Sequence, residues 1–415
     1  MKIIHTADWH IGNTFHGYDR SDEHRNFLDF LLSTISSQEA DALIVAGDVF
    51  DNPNPSAEAQ KIYYDFLDRA TTANPGLQIV VIAGNHDSAA RLEASSSILQ
   101  RQKIYVRGSV PTDDKGGKNT ESLIIPLCSR NDADDTVICL AVPFLRMADL
   151  PQADTFSKSM GKFFRDLTSD ARKLYGKKSR LVLAAHFYAT GSEIAEEEHS
   201  ERVIVGGEEN VDASKFCDEF SYAALGHIHK AQHVAHLDHA RYSGAPLPMS
   251  FSERGYHHGV NVVDFAADGT VTLNVVEYEP LRKLLSIPRT GTATVQQAVE
   301  AVCSLPKADK KDPGTDWPYV EVRLGTTNDT TANHQIKESF AGRAAHFCMI
   351  RNNADKQTAS TSLDQQTEKE LSRLNPLALA KKVYENNYNG SAMPQELVDK
   401  FNTACKIASE SEEEQ

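Results

Sequence analysis

Residues 42–51 read ALIVAGDVFD: five consecutive apolar side chains, a glycine, then two aspartates flanking Val49 and Phe50. A short uncharged run of this kind, closed abruptly by Gly and Asp, is the pattern of a strand buried on both faces of its sheet. Asp48 then emerges at the carboxyl end of that strand. The same pattern recurs along the first 280 residues. Lys2–Ala7 ends in Asp8-Trp9-His10, and Gln78–Ala83 ends in Gly84-Asn85-His86-Asp87. Arg180–Ala185 ends in His186, and Tyr222–Leu225 ends in Gly226-His227-Ile228-His229. Val137–Val142 and Val260–Phe265 are further strand candidates. Helical spacing of apolar residues lies between the early strands, with Phe27, Phe30, Leu31 and Ile35 in Asp22–Ser37 and Ile62, Phe66 and Leu67 in Ala57–Ala73. Strand–helix alternation predicts an α/β layered core.

In such a fold the carboxyl ends of neighbouring strands open onto one crevice. Five strand ends would thereby bring Asp8, His10, Asp48, Asn85, His186, His227 and His229 to one place. These are carboxylates, imidazoles and an amide oxygen with no thiolate, a donor set suited to borderline-hard divalent ions such as Mn²⁺. Seven ligands exceed what one tetrahedral ion takes. They fit two ions about 3.5–4 Å apart that share a bridging carboxylate. The glycines beside Asp48, Asn85 and His227 permit the tight turns that aim those side chains.

Composition bounds the function. The 415 residues suggest two to three domains at about 150 residues each. Lys and Arg total 43 against 58 Asp and Glu, a net charge of −15, which excludes nucleic-acid binding by global charge but not by a local patch or a metal centre. No apolar stretch approaches the roughly 20 residues a membrane span needs. The chain opens on an apolar strand with no signal-type segment. Its six cysteines (Cys128, Cys139, Cys217, Cys303, Cys348 and Cys405) are scattered without a C-x-x-C pair. Together these predict a cytoplasmic protein whose thiols are reduced and mostly fill core.

Residues 1–280 form the candidate catalytic domain. Residues 281–352 have a rhythm of their own: strand Arg282–Ile287, helix Thr294–Leu305, strand Tyr319–Gly325, helix Asn333–Gly342 and strand His346–Arg351. This predicts a small α+β domain. Residues 353–374 read as a linker, polar at Asn353–Thr361. Residues 375–408 hold two amphipathic helix candidates, Asn375–Asn387 and Pro394–Ile407, and 409–415 is an acidic tail.

The series D-x-H, G-D-x-x-D, G-N-H-D, a lone His and G-H-x-H, at Asp8, Gly47, Gly84, His186 and Gly226, resembles the motif series of the calcineurin-like metallophosphoesterases. The stretches HTADWHIGNTF, VAGDVFDNPNPSAEA, VVIAGNHDSAARL, VPFLR and ALGHIHKAQ narrow the likeness to the bacterial DNA-nuclease branch of that superfamily, in detail to about Glu279. Two local departures are Ala185 before the lone His, where Gly is usual, and Ala245 in the Gly244-Ala245-Pro246 turn, where Ser is usual.

The resemblance implies a four-layer β-sandwich flanked by helices, with 281–352 as a capping domain that grips DNA. It implies that Asp8, His10 and His229 hold one Mn²⁺, that Asn85, His186 and His227 hold a second, and that Asp48 bridges them. His86 would face the scissile phosphate and donate a hydrogen bond or proton to it or to the leaving oxygen. The resemblance further implies a homodimer whose C-terminal helices dock on a coiled-coil ATPase subunit. The implied activities are ATP-dependent 3′-to-5′ exonuclease on duplex ends and endonuclease on single strands and hairpins, in DNA repair and recombination. A stand-alone phosphoesterase acting on nucleotides or phosphoproteins is the alternative.

Other residues carry weaker signals. The G-D-x-x-D spacing makes Asp51 a candidate to orient His86, against a structural cap. Asp87 is expected to cap a helix starting near Ser88. Arg20, Arg91 and Arg254 follow motif strands and either touch DNA phosphates or are simply solvated. Phe15, His16 and Tyr18 either wedge against bases or pack locally. Trp9 alternates with two ligands on a strand and is expected in the core.

Overall fold

The computed structural model describes residues 1–112, 118–151, 153, 155–190, 192–193, 211–234, 237–309, 311, 314–326, 331–352, 393–395, 397–398 and 400. The first stretch runs β1 (Lys2–Thr6), a short hairpin of β2 (Thr14–Phe15) and β3 (Tyr18–Asp19), then α1 (Ser21–Ser37), β4 (Ala42–Ala46), α2 (Ala57–Ala73) and β5 (Gln78–Ile82). Two short helices, α3 (Ala89–Glu93) and α4 (Ser96–Leu99), lead to β6 (Ile104–Arg107). The next comprises β7 (Ile124–Cys128), β8 (Thr136–Ala141), α5 (Phe156–Tyr175), β9 (Leu181–His186), β10 (Tyr222–Gly226), β11 (Gln232–Val234) and β12 (Leu237–Tyr242). A hairpin of β13 (His258–Phe265) and β14 (Val271–Tyr278) follows. Last come β15 (Leu284–Ile287), α6 (Val295–Cys303), β16 (Tyr319–Leu324), α7 (Ala332–Ser339) and β17 (His346–Asn352).

Two six-stranded sheets result, in the orders β14-β13-β1-β4-β5-β6 and β11-β12-β10-β9-β8-β7. All seven strand expectations fall on strands of these sheets. The continuous apolar runs are explained by burial on both faces. In β4 and β5, Leu43, Val45, Ile79 and Val81 pack against Phe27, Leu31, Tyr63 and Phe66 of α1 and α2. The alternate residues Ala42, Ile44, Val80 and Ile82 meet Val137, Cys139, Val182 and Ala184 of the second sheet. On its far side Leu181, Leu183 and Leu225 cover Phe163, Phe164 and Leu167 of α5.

Three of the described helices, α2, α5 and α6, start where a side-chain oxygen takes a free amide. Ser56 accepts from Ala59 N before α2, and Thr155 accepts from Lys158 N before α5. Thr294 and Gln297 form a reciprocal capping box on α6.

β1, β4, β5 and β6 are mutually parallel, as are β8, β9, β10 and β12. Their carboxyl ends therefore share a direction within each sheet. The later segment forms a three-stranded sheet, β15-β16-β17, with α6 and α7.

The chain divides into two compact units, one of Met1–Arg323 with Asp329–Ile350, the other of Leu324–Asn328 with Arg351–Gln415. In the second, the amides of Leu397 and Val398 both donate to Pro394 O, a helical first turn. The helix candidate Asn375–Asn387, the linker 353–374 and the acidic tail lie outside the described residues, as does most of Pro394–Ile407. Among the described cysteines Cys139 and Cys217 are buried, Cys128 and Cys348 are half-buried, and Cys303 is exposed; all are free thiols. Among the described residues no helix is long and apolar enough to cross a membrane.

Candidate metal centre

The carboxyl ends of β1, β4, β9 and β10 and the loop after β5 meet above the seam between the two sheets. Backbone contacts zip them together. Asp8 N donates to Gly47 O and His10 N donates to Asp48 O, each at 3.0 Å. The Asp8 carboxylate accepts from His227 N, joining the first sheet to the second. Asp48 Oδ1 accepts from His86 N at 2.8 Å. Tight approach requires glycine at two of these positions. A Cβ on Gly84 would lie 2.1 Å from Asp48 Oδ1, and one on Gly226 would lie 1.9 Å from Ala46 O.

The site is built at a conformational cost. Asp8 (φ 54°), His10 (φ 47°), Asp48 (φ 49°) and His227 (φ 103°) all occupy the left-handed region that L residues avoid. Each such residue costs on the order of 1–3 kcal/mol, and such residues concentrate at functional sites.

All seven expected ligands come together. Ligand atoms of Asp8, His10 and His229 lie within 4.8 Å of one another, as do those of Asp8, Asp48 and His186 and those of His10, Asp48 and His86. Asn85 Oδ1 sits 3.0 Å from both His186 Nε2 and His227 Nδ1. His186 Nε2 is also 3.3 Å from Asp48 Oδ2. Because a carbonyl only accepts, the 2.9 Å contact of His186 Nδ1 with Ala46 O fixes the proton on Nδ1 and turns Nε2 toward Asp48 and Asn85.

The field favours positive charge. Burial opposes protonation of His186, yet the carboxylates of Asp48 and Asp8 hold its pKa up at about 9. For Asp48, burial acts to raise the pKa, but the imidazoles of His186, His10 and His86 overcome it and hold the carboxyl well below the usual range. Burial, followed by the neighbouring His186, pushes His227 down to about 3, where it is a neutral donor.

The residues fit a divalent cation. Both ring nitrogens of His10 are buried and make no hydrogen bond among the described residues, a costly condition that ligation through one of them would relieve.

His86 is half-buried, its ring 4.8 Å from that of His10. Its Nδ1 donates to the Asp51 carbonyl at 2.8 Å. Asp51 thus meets His86 through its backbone and not its carboxylate. That carboxylate accepts from Asn13 Nδ2 at 2.8 Å and stands 3.6 Å from His10 Nδ1. Burial acts against its charge, but His10 and Asn13 hold its pKa below the usual value.

One secondary expectation is corrected, and alternatives left open by the sequence are decided. Asp87 does not cap α3; its carboxylate accepts from Gly84 N, Val49 N and Phe50 N, tying the two loops that carry Asp48 and Asn85. Arg20 is fully buried, paired with Glu23 and donating to Pro248 O at 2.8 Å, so it cannot reach solvent phosphates. Arg254 pairs with Ser286 and Glu321, while Arg91 is exposed. Phe15 packs on Phe251, Leu284 and Tyr319, and Tyr18 donates to Phe347 O, so these rings hold the three-stranded sheet and are not base wedges. His16 alone of that patch is exposed. Trp9 is buried between Phe27 and Phe66 as expected.

One residue at the site lay outside the strand-end pattern. Glu253, fully buried in the turn Phe251–Gly255, contacts His229 Nδ1 at 3.2 Å.

The profile of the calcineurin-like phosphoesterase family matches residues 1–231, more than half of the chain. The chain belongs to that family. Within these phosphoesterases it is 35% identical over 394 residues to the SbcD subunit of nuclease SbcCD from Rhodobacter capsulatus, spanning 91% of this chain and 93% of that one. It is 32% identical to the SbcD subunit from Escherichia coli K12 over 72% of this chain and 74% of that one. The Bacillus subtilis SbcD subunit is 30% identical over 100% of this chain and 99% of its own. The calcineurin-like fold accounts for the mixed α/β sheets with flanking helices, and the phosphoesterase family implies divalent metal ions at the cluster described above.

Proposed function

We propose that the chain is the nuclease subunit of an SbcCD-type complex and hydrolyses DNA phosphodiesters with two divalent ions, most suitably Mn²⁺. The observation that carries this reading is the meeting of seven oxygen and nitrogen ligands from five separated segments, in a phosphoesterase whose relatives are SbcD subunits of nuclease SbcCD. Asp8, His10 and His229 would hold one ion, Asn85, His186 and His227 the other, with Asp48 between them. When bound, the two ions supply Lewis acidity, activating water as nucleophile and neutralising charge on the phosphate.

The chain's own groups do the rest. His86 carries its Nδ1 proton toward the Asp51 carbonyl, which leaves Nε2 as the nitrogen not engaged in that bond. In its protonated form that nitrogen donates to a phosphate or leaving oxygen. The buried Asp87 carboxylate keeps the Asp48 and Asn85 loops in register, so that bridging and terminal ligands stay aligned.

The architecture we propose is a four-layer sandwich of helices, two sheets and helix, supported by the three successive apolar cores. Residues 281–352 act as a cap helping to grip DNA, and 375–408 dock on the coiled-coil ATPase subunit after the 353–374 linker. The protein works in the cytoplasm as a homodimer, as an ATP-dependent 3′-to-5′ exonuclease on duplex ends and an endonuclease on hairpins and single strands. Cleavage of DNA, cyclic nucleotides and nitrophenyl phosphate esters compared in Mn²⁺ tests this directly. DNA is expected to be the preferred substrate; preference for small esters would favour a stand-alone phosphoesterase.

A further inference from the structure

We propose that Glu253 is a positioning residue for the metal ligand His229, held in place by a strut that the three-stranded sheet pins from outside. The proposal deepens the metal-centre reading and rests on it.

The two oxygens of Glu253 face different groups. Oε1 lies 3.2 Å from His229 Nδ1, and Oε2 accepts from Met249 N at 2.8 Å. A carboxylate acceptor at Nδ1 requires the proton there, so Nε2 becomes the nitrogen that ligates, and the imidazole gains basicity. The side chain is fully buried, so water does not compete for either oxygen. Glu253 itself is fixed by its turn: Glu253 N donates to Ser250 O at 3.2 Å and Tyr256 N to Glu253 O at 2.8 Å.

The strut Pro248–Arg254 is gripped at both ends. Near its start, buried Arg20 donates to Pro248 O, while Arg20 also pairs with Glu23. Glu23 in turn accepts from Arg282 and from the Tyr319 hydroxyl on β16. Near its end, Arg254 reaches Ser286 on β15, whose hydroxyl donates to buried Glu321 on β16. Phe251 between them is buried against Phe15, Leu284 and Tyr319. A continuous set of hydrogen bonds therefore runs from the three-stranded sheet to a ligand of the candidate centre. Nothing in the strand-end pattern requires this; it arises because the chain returns over its own first hairpin.

Glu253→Gln is the sharp variant, because it keeps size and shape. A glutamine has one acceptor oxygen and one amide NH₂, so it can accept from Met249 N or from His229 Nδ1, but not from both. If the oxygen stays on Met249 N, the NH₂ faces His229 Nδ1 and forces the opposite tautomer, with the proton on Nε2. The measurement is Mn²⁺ titration followed by the electron paramagnetic resonance of free Mn²⁺, with thermal unfolding of the metal-free protein run alongside. Wild type is expected to take up two ions. In E253Q one site is expected to weaken about 10–100-fold while the other keeps its affinity. Glu253→Asp, still charged but too short to reach His229, carries the same expectation should E253Q not fold. Two ions bound with wild-type affinities in these variants, even with a lowered melting temperature, would reduce Glu253 to a packing residue and overturn the proposal. Wild type that takes up no Mn²⁺ would overturn the metal centre together with it.

Discussion

Gly226 precedes the first histidine of G-H-x-H, and replacing it with alanine tests how closely the two sheets are joined above the core. The added Cβ would lie 1.9 Å from Ala46 O, 2.9 Å from Ala7 Cβ and 2.9 Å from His186 Nδ1. An ordinary carbon–oxygen approach is roughly 3.3–3.6 Å, so β10 and β4 must separate by about 1.4 Å or more, or the carbonyl must rotate. Ala46 O is the acceptor that orients His186, so either response moves a ligand. Overpacking of this kind costs about 1–3 kcal/mol, and more where backbone cannot yield. At about 1–1.5 °C per kcal/mol for a unit of this size, the G226A variant should melt about 1–4 °C below wild type. Loss of His186 orientation should also weaken Mn²⁺ binding by about 10–100-fold. Differential scanning calorimetry and Mn²⁺ titration read the two effects. Gly255→Ala is the control, because a Cβ there meets nothing within 4 Å and should change neither quantity. A G226A protein with wild-type melting and wild-type Mn²⁺ affinity would refute the close approach on which the site's geometry depends.

Two further outcomes are expected. His86→Gln should lower DNA hydrolysis by about 10²–10⁴-fold while Mn²⁺ uptake and DNA binding persist, since His86 handles a proton and holds no ion in this account; unchanged cleavage would remove it from the mechanism. His5 lies buried between the sheets, with Nδ1 2.8 Å from the Tyr222 hydroxyl and 3.3 Å from Asn261 Nδ2, and burial pushes its pKa down to about 3. Its unfolded value is about 6.5, so below that pH the unfolded chain binds a proton that the native state refuses, and stability falls by about 1.4 kcal/mol per pH unit down to the folded value. His5→Asn should therefore lose stability less steeply between pH 6.5 and 5 in denaturant titrations; equal slopes would show that His5 titrates alike in both states.

The legible part of the molecule was that written in contiguous residues. Strands buried on both faces announce themselves as unbroken apolar runs, and their polar terminators announced the ligands, because parallel strands open on one side. Other elements left weaker marks. The strand Val271–Tyr278 has mostly half-buried or exposed side chains, and α5 carries Phe163, Phe164 and Leu167 at helical spacing in a stretch with no polar ligand at its end to mark it. Residues that the sequence left ambiguous or misplaced share one cause, which is tertiary cover supplied by distant sequence. Phe15 and Arg20 follow a motif strand as loop residues should, yet Phe251, Leu284 and Tyr319 cover the first while Glu23 and Pro248 hold the second in the interior. Glu253 acquires its role only because its turn returns to His229, and Asp87 serves the loops beside it instead of the helix after it.

A crystal of the full chain grown with Mn²⁺ and measured at the manganese absorption edge tests the central claim most directly. Two anomalous peaks about 3.5–4 Å apart, one on either side of Asp48 and ringed by Asp8, His10 and His229 and by Asn85, His186 and His227, are the result expected. An absence of anomalous density at this cluster, with the protein folded and Mn²⁺ in excess, would contradict it.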